Sequence, residues 1–188
     1  MDMAAQWRNQ EDNTMGWFSR KPSQQRAAEL LINLAGDLYE RIVGPPDKVP
    51  FLKFGRSDSR YRCLMFCLST VHAVCARKMG NCDAVLNEAF QSLFAYSLSE
   101  PGVFFGGPVD AQVAANNGGQ YLQDYLHRWS CYIEIESGGN TIAALNIVMT
   151  MLRDIESAAP PSEEDAQRLR PVVFLLLREF GRIESGFR

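Results

Sequence analysis

The chain has 188 residues, 46% of them hydrophobic, and a formal net charge of −3. This length suits one domain with a substantial core. Because the basic residues are spread along the chain instead of forming a run, the sequence excludes the electrostatic footprint of a nucleic-acid-binding protein.

The sequence predicts a cytoplasmic protein without a membrane span. No stretch reaches the roughly 18 uncharged apolar residues of a transmembrane helix, and no apolar secretory signal opens the chain. The five cysteines are an odd number and are too sparse for a small disulfide scaffold. We therefore expect the thiols to be reduced.

The first 22 residues show no sustained hydrophobic period. We expect residues 1–22 to form a flexible N-terminal arm, in which Met15 is an alternative start, and residues 23–188 to form a single helical domain. Within that domain apolar residues recur at intervals of three and four, the spacing of one helix face. This pattern covers segments near residues 23–43, 58–79, 84–99, 120–136 and 141–157, and a last one beyond residue 162.

Glycine and proline separate these segments, because glycine accepts a left-handed helix end and proline cannot continue the hydrogen-bond ladder. The sequence therefore predicts an all-α bundle of about six helices. Two points stay open. Residues 131–136, CYIEIE, also alternate like a strand, although the three-four pattern favours a helix, and Pro171 is expected to split or kink the last helix.

Residues 101–120 are rich in glycine and asparagine and predict one long loop. A loop of this length inside a compact domain is either functional or partly helical. Phe104 and Phe105 are candidate partner-binding residues at its tip, beside Gly106 and Gly107. The alternative is that the two rings close over the bundle.

The second helix carries a group of cysteines and a histidine, namely Cys63, Cys67, Cys75 and His72. His72 lies on the opposite side of a helix from Cys63, so the two cannot bind one ion. The intervening apolar residues are typical of a helix buried on several sides. Because free cysteine packs like a small hydrophobic residue, we predict that this group belongs to the core instead of forming a metal or redox site.

Asp124, His127 and Cys131 form a sharper cluster on the fourth helix. Their spacing of i, i+3 and i+7 places them on one face, opposite an aromatic stripe. A carboxylate can orient an imidazole, and an imidazole can withdraw a proton from a thiol. The same three residue types can bind zinc. They are the candidate catalytic residues of an alternative hypothesis, a thiol-dependent or metal-assisted enzyme, although a solvated helix face has the same spacing.

The last helix has apolar residues on two sides. One face packs into the predicted core, whereas Phe174 and Leu175 point elsewhere. A second apolar side indicates a second contact surface. We expect Phe174 and Leu175 to bind a partner, and a symmetric homodimer is the favoured arrangement.

The sequence contains no strong catalytic motif, no phosphate-binding loop and no cofactor motif. We therefore predict a non-enzymatic helical protein that acts through protein contacts, as an adaptor, a regulator or an inhibitor-type partner, without a cofactor. A further alternative is a helical pocket that binds a small apolar molecule beneath Phe104, Phe105 and the stripe of Tyr121, Tyr125 and Trp129.

Overall fold

The fold, taken from a computed structural model, is described for residues 24–44, 52–80, 82–156 and 163–186, and these ranges contain helices but no strand. The predicted N-terminal arm and Met15 lie outside the described residues. In chain order the helices are α1 Gln24–Val43, α2 Ser59–Met79, α3 Asp83–Ser99, α4 Pro101–Phe104, α5 Ala111–Ser137, α6 Thr141–Glu156 and α7 Glu163–Gly186. The prediction of an all-α bundle is confirmed.

Helix α2 is the centre of the bundle and packs against each of the other six helices. All residues from 63 to 75 are buried, and Cys63, Cys67 and Cys75 are fully inaccessible. The hydroxyls of Ser69 and Thr70 donate to the carbonyl of Phe66 at 2.7 and 2.8 Å, so these polar groups are satisfied within the helix. The predicted core position of the three cysteines is confirmed.

The Gly/Asn-rich segment 101–120 is partly helical, which is one of the two outcomes expected from the sequence. Residues 105–110 connect α4 to α5, and α5 begins at Ala111. The side chain of Asp110 caps α5 by accepting a hydrogen bond from the Val113 N–H at 2.9 Å. Capping and packing therefore override the weak helix propensity of glycine and asparagine in this segment.

The two open points of the sequence pattern are resolved in favour of continuous helices. Residues 131–136 are helical and belong to α5. Helix α7 runs through Pro171, so the predicted split is absent. Leu169 and Val172 are buried on either side of this proline, and their packing holds both halves of α7 on the core.

Helices α2 and α5 are in close contact at Gly118. The ring of Tyr61 lies where a side chain at Gly118 would be, and the Tyr61 hydroxyl donates to the carbonyl of Ala114 at 3.3 Å. A side chain at Gly119, the next residue, would point into open space. Gly118 is therefore required by close packing, whereas Gly119 is not.

We expect Gly118→Ala to destabilise the protein and Gly119→Ala to stabilise it. An added methyl group at position 118 overlaps Tyr61, and such overpacking costs about 1–3 kcal/mol. At position 119 the same change gains up to about 1 kcal/mol of helix propensity. Urea denaturation measures both free energies of unfolding, and equal effects of the two substitutions would contradict the close contact.

His72 is buried on α2, and neither ring nitrogen has a hydrogen-bond partner among the described residues. Burial lowers the pKa of His72, while the negative charge of Asp83 opposes this shift. The unfolded chain therefore binds a proton near pH 6.5, where the folded chain does not yet bind one. Above about pH 6.5 the ring is neutral in both states and adds no pH dependence. As the pH falls below that value, protonation favours the unfolded chain, and the free energy of unfolding decreases until the pH has passed the lowered pKa of the folded state.

We predict that the free energy of unfolding falls below about pH 6.5 with an additional slope of up to about 1.4 kcal/mol per pH unit, because of His72. His72→Gln should remove this slope. The control is His127→Gln, since His127 is exposed on α5. Denaturant titrations between pH 5 and pH 8 measure the slopes, and an unchanged slope in His72→Gln would exclude His72 as its source.

Candidate functional site

Asp124, His127 and Cys131 lie on the outer face of α5, as their spacing predicts. Asp124 and His127 are exposed, and Cys131 is half-buried. The Sγ atom of Cys131 lies 3.9 Å from Nε2 of His127, a long contact even for a sulfur atom. Within the described part of the chain, Asp124 makes no hydrogen bond to His127, and no group of three ligand side chains is arranged to hold a metal ion.

We expect Cys131 to react with a thiol reagent no faster than a free cysteine, because Asp124 makes no hydrogen bond to His127 and the His127 ring is only in long contact with the thiol. His127→Ala should leave this rate unchanged. Mass spectrometry after timed alkylation of the folded protein measures the modification of each cysteine. A rapid reaction that depends on His127 would support the enzyme hypothesis.

Phe104 and Phe105 are neighbours with different environments. Phe104 is 2% exposed, and its ring lies 6.1 Å from that of Tyr39 and 5.5 Å from that of Tyr96, so it offers no surface to a partner. Phe105 is half-buried and packs on Tyr61, with ring centroids 4.7 Å apart. Both rings therefore pack onto the bundle, which is the alternative that we considered from the sequence.

A cleft of about 300 Å³ lies between the connector, residues 105–110, and the ends of α2 and α5. Phe105, Tyr121 and Asp58 are among the residues that line it. Two of its polar residues, Asp58 and Tyr121, are bonded to each other and to the neighbouring Arg62. The Tyr121 hydroxyl donates to Asp58 at 2.7 Å, and Arg62 donates to Asp58 at 3.0 Å and to the Tyr121 oxygen at 2.8 Å. Burial, together with this bond to Asp58, raises the pKa of Tyr121 to about 12, so its hydroxyl remains a donor at neutral pH.

The predicted pocket for a small apolar molecule is only partly assembled around this cleft. Phe105 and Tyr121 line it, but Tyr125 and Trp129 are buried against Phe66, with ring centroids 5.5 and 6.1 Å apart. The volume is at the lower end of the range for ligand pockets. The cleft is therefore a weaker candidate site than the outer surface of α7.

The outer surface of α7 carries a row of side chains four residues apart, Arg170, Phe174, Arg178 and Arg182, which we call the α7 stripe. Residues at this spacing lie next to each other on a helix surface. Phe174 is 70% exposed, and the three arginines are exposed as well. Leu175, the other predicted contact residue, is half-buried and packs against the core.

Three guanidinium groups meet at one buried carboxylate beside the stripe. The Glu179 side chain is only 4% exposed, and its oxygens lie 3.2 Å from Arg41, 3.5 Å from Arg178 and 2.6 Å from Arg182. Arg41 comes from the end of α1, whereas Arg178 and Arg182 belong to the stripe. Glu179 therefore fixes the positions of basic groups on two helices.

The sequence did not predict this cluster of arginines. The spacing of the arginines along α7 is visible in the sequence, but their meeting with Arg41 is not, since Arg41 and Glu179 are 138 residues apart. Periodicity shows which residues share a face of one helix. It does not show which residue of another helix lies beside them.

The chain matches no protein-family model, no curated protein and no solved structure. None of the helices in the described ranges combines the length and the apolar character needed to cross a bilayer. What the chain does has to be inferred from its own surfaces.

Proposed function

We propose that this chain is a non-enzymatic protein that acts in the cytoplasm through protein-protein contacts, as an adaptor, a regulator or an inhibitor-type partner, and that it binds its partner with the α7 stripe. The observation that carries the proposal is the exposure of Phe174. A side chain of this size at the middle of the stripe presents apolar surface that a partner can cover.

Phe174 is not needed to complete the fold. The core face of α7 is formed by other residues, which are buried: Leu169, Val172, Val173, Leu176, Phe180 and Ile183. Covering a phenylalanine side chain gains about 1.5–3 kcal/mol, and aromatic and arginine side chains are enriched among the residues that dominate binding energy at interfaces. The α7 stripe contains both kinds.

The charge of the stripe bears on the predicted homodimer. In a symmetric pairing of two α7 stripes, the arginines of one copy approach those of the other, and such like-charge contacts disfavour association. We therefore propose a different protein as the partner. The homodimer stays the alternative arrangement, and the experiment below separates the two.

The experiment places the photo-crosslinking amino acid p-benzoylphenylalanine at position 174 in cells of the source organism. Its matched control carries the same group at position 142, because Ile142 on α6 is 76% exposed and thus as accessible as Phe174. We expect illumination to give a discrete covalent adduct from position 174 and none from position 142. Mass spectrometry identifies the crosslinked protein.

Each pattern of adducts has a definite meaning. An adduct with a second copy of this chain would favour the homodimer over a different partner. The same adducts from both positions, or no adduct from position 174, would contradict a contact surface centred on Phe174. Thermal unfolding of the two labelled proteins checks that both remain folded.

A further inference from the structure

Two buried carboxylates in this bundle are compensated in different ways. Glu156 is paired with one guanidinium, that of Arg168, through two hydrogen bonds of 2.5 Å, and it also accepts the Lys53 N–H at 2.6 Å. Glu179 lies within 3.5 Å of three guanidiniums, those of Arg41, Arg178 and Arg182. One cation is enough to compensate one buried carboxylate, so the cluster at Glu179 holds a surplus of two positive charges.

This surplus is held at the surface. About half or more of each of the three arginine side chains is exposed, whereas Glu179 is buried beneath them. The nearby Lys78 and Glu184 pair with each other at 3.4 Å and leave the balance unchanged. A guanidinium has five N–H donors, so each arginine has donors beyond the one that contacts Glu179.

The arrangement of the stripe has the dimensions of a helix-binding surface. Arg170 and Arg182 are twelve residues apart, about 18 Å along the axis of α7 at 1.5 Å per residue. Phe174 lies between Arg170 and Arg178, four residues from each. A helix that packs along α7 meets these side chains at its own repeat of three and four residues.

We propose that the occupant of the α7 stripe is an acidic amphipathic helix of another protein. Its apolar face covers Phe174, and its aspartate or glutamate side chains bind Arg170, Arg178 and Arg182. The inference rests on the proposed function and names the chemistry of the partner. Charge complementarity supports it, because carboxylates from the partner neutralise a surplus that the fold itself leaves uncompensated.

Glu179 prepares the stripe for this role. It draws Arg41, Arg178 and Arg182 toward one point, so less side-chain freedom is lost when they bind carboxylates of a partner. Arginine also binds a carboxylate with two parallel hydrogen bonds, which fixes the orientation of the bound helix.

The test is a selection from a helical peptide library on the immobilised 188-residue chain. One face of each peptide is randomised over Leu, Phe, Glu, Lys and Gln. We expect the retained peptides to carry glutamates at helical spacing on either side of an apolar residue. Substituting Arg178 and Arg182 together with alanine should weaken their binding roughly tenfold. Binding should also weaken as salt shortens the Debye length below about 10 Å.

The matched control is Arg26→Ala. Arg26 is an exposed arginine near the start of α1, about 22 Å from Arg41 along that helix. Its substitution should leave peptide binding unchanged. Three results would overturn the inference. The retained peptides could be uncharged or basic, their binding could be insensitive to Arg178→Ala and Arg182→Ala, or no peptide could be retained.

The same substitutions separate the failure of this inference from the failure of the proposed function. If the adduct from position 174 forms equally well in the variant with Arg178→Ala and Arg182→Ala, the stripe is a contact surface but its partner is not acidic. If no adduct forms at all, the proposed function fails. A partner that binds only when phosphorylated would overturn the acidic helix and keep the contact surface.

Discussion

Burying α2 on every side is the constraint on which the rest of the structure depends. Residues 63–75 are all buried, so apolar groups surround this helix and the other helices have to cover it. At about 25 cal/mol per Å² of apolar surface, this burial is a large driving force for folding. The cysteines add to it as small hydrophobic groups, whereas His72 opposes it because its ring nitrogens have no partner among the described residues.

The central position of α2 sets the requirements on its neighbours. Each surrounding helix needs one apolar face, and its other face can remain polar. On α5 the inward residue Trp129 stacks on Phe66 of α2, and Phe180 of α7 lies 5.6 Å from the same indole. The outward faces of α5 and α7 take no part in this packing. The cluster of Asp124, His127 and Cys131 lies on the first of these faces, and the α7 stripe lies on the second.

The sequence allowed the local features of this fold to be predicted, because they follow from periodicity along a single helix. The main helices, the buried cysteines and the outward position of Phe174 belong to this class. The helical start of α5 could not be predicted in this way. Gly118 is typical of a loop in the sequence, and its role in close packing depends on Tyr61, which comes from another helix. The environments of Phe104 and Phe105 depend on the path of the connector, and the meeting of Arg41 with Glu179 depends on how α1 and α7 cross.

Preorganisation separates the two candidate sites on the outer surface. Asp124 and His127 are exposed and make no bond to each other in the described structure, so any joint action has to order both side chains first. Arg41 of α1 and Arg178 and Arg182 of α7 are already held by Glu179, a carboxylate that is itself fixed by burial. One cation would be enough to compensate the buried Glu179 carboxylate, but Glu179 positions three guanidinium groups. The two additional positive charges are available to a partner. This is the physical reason for placing the proposed contact surface on α7 instead of α5.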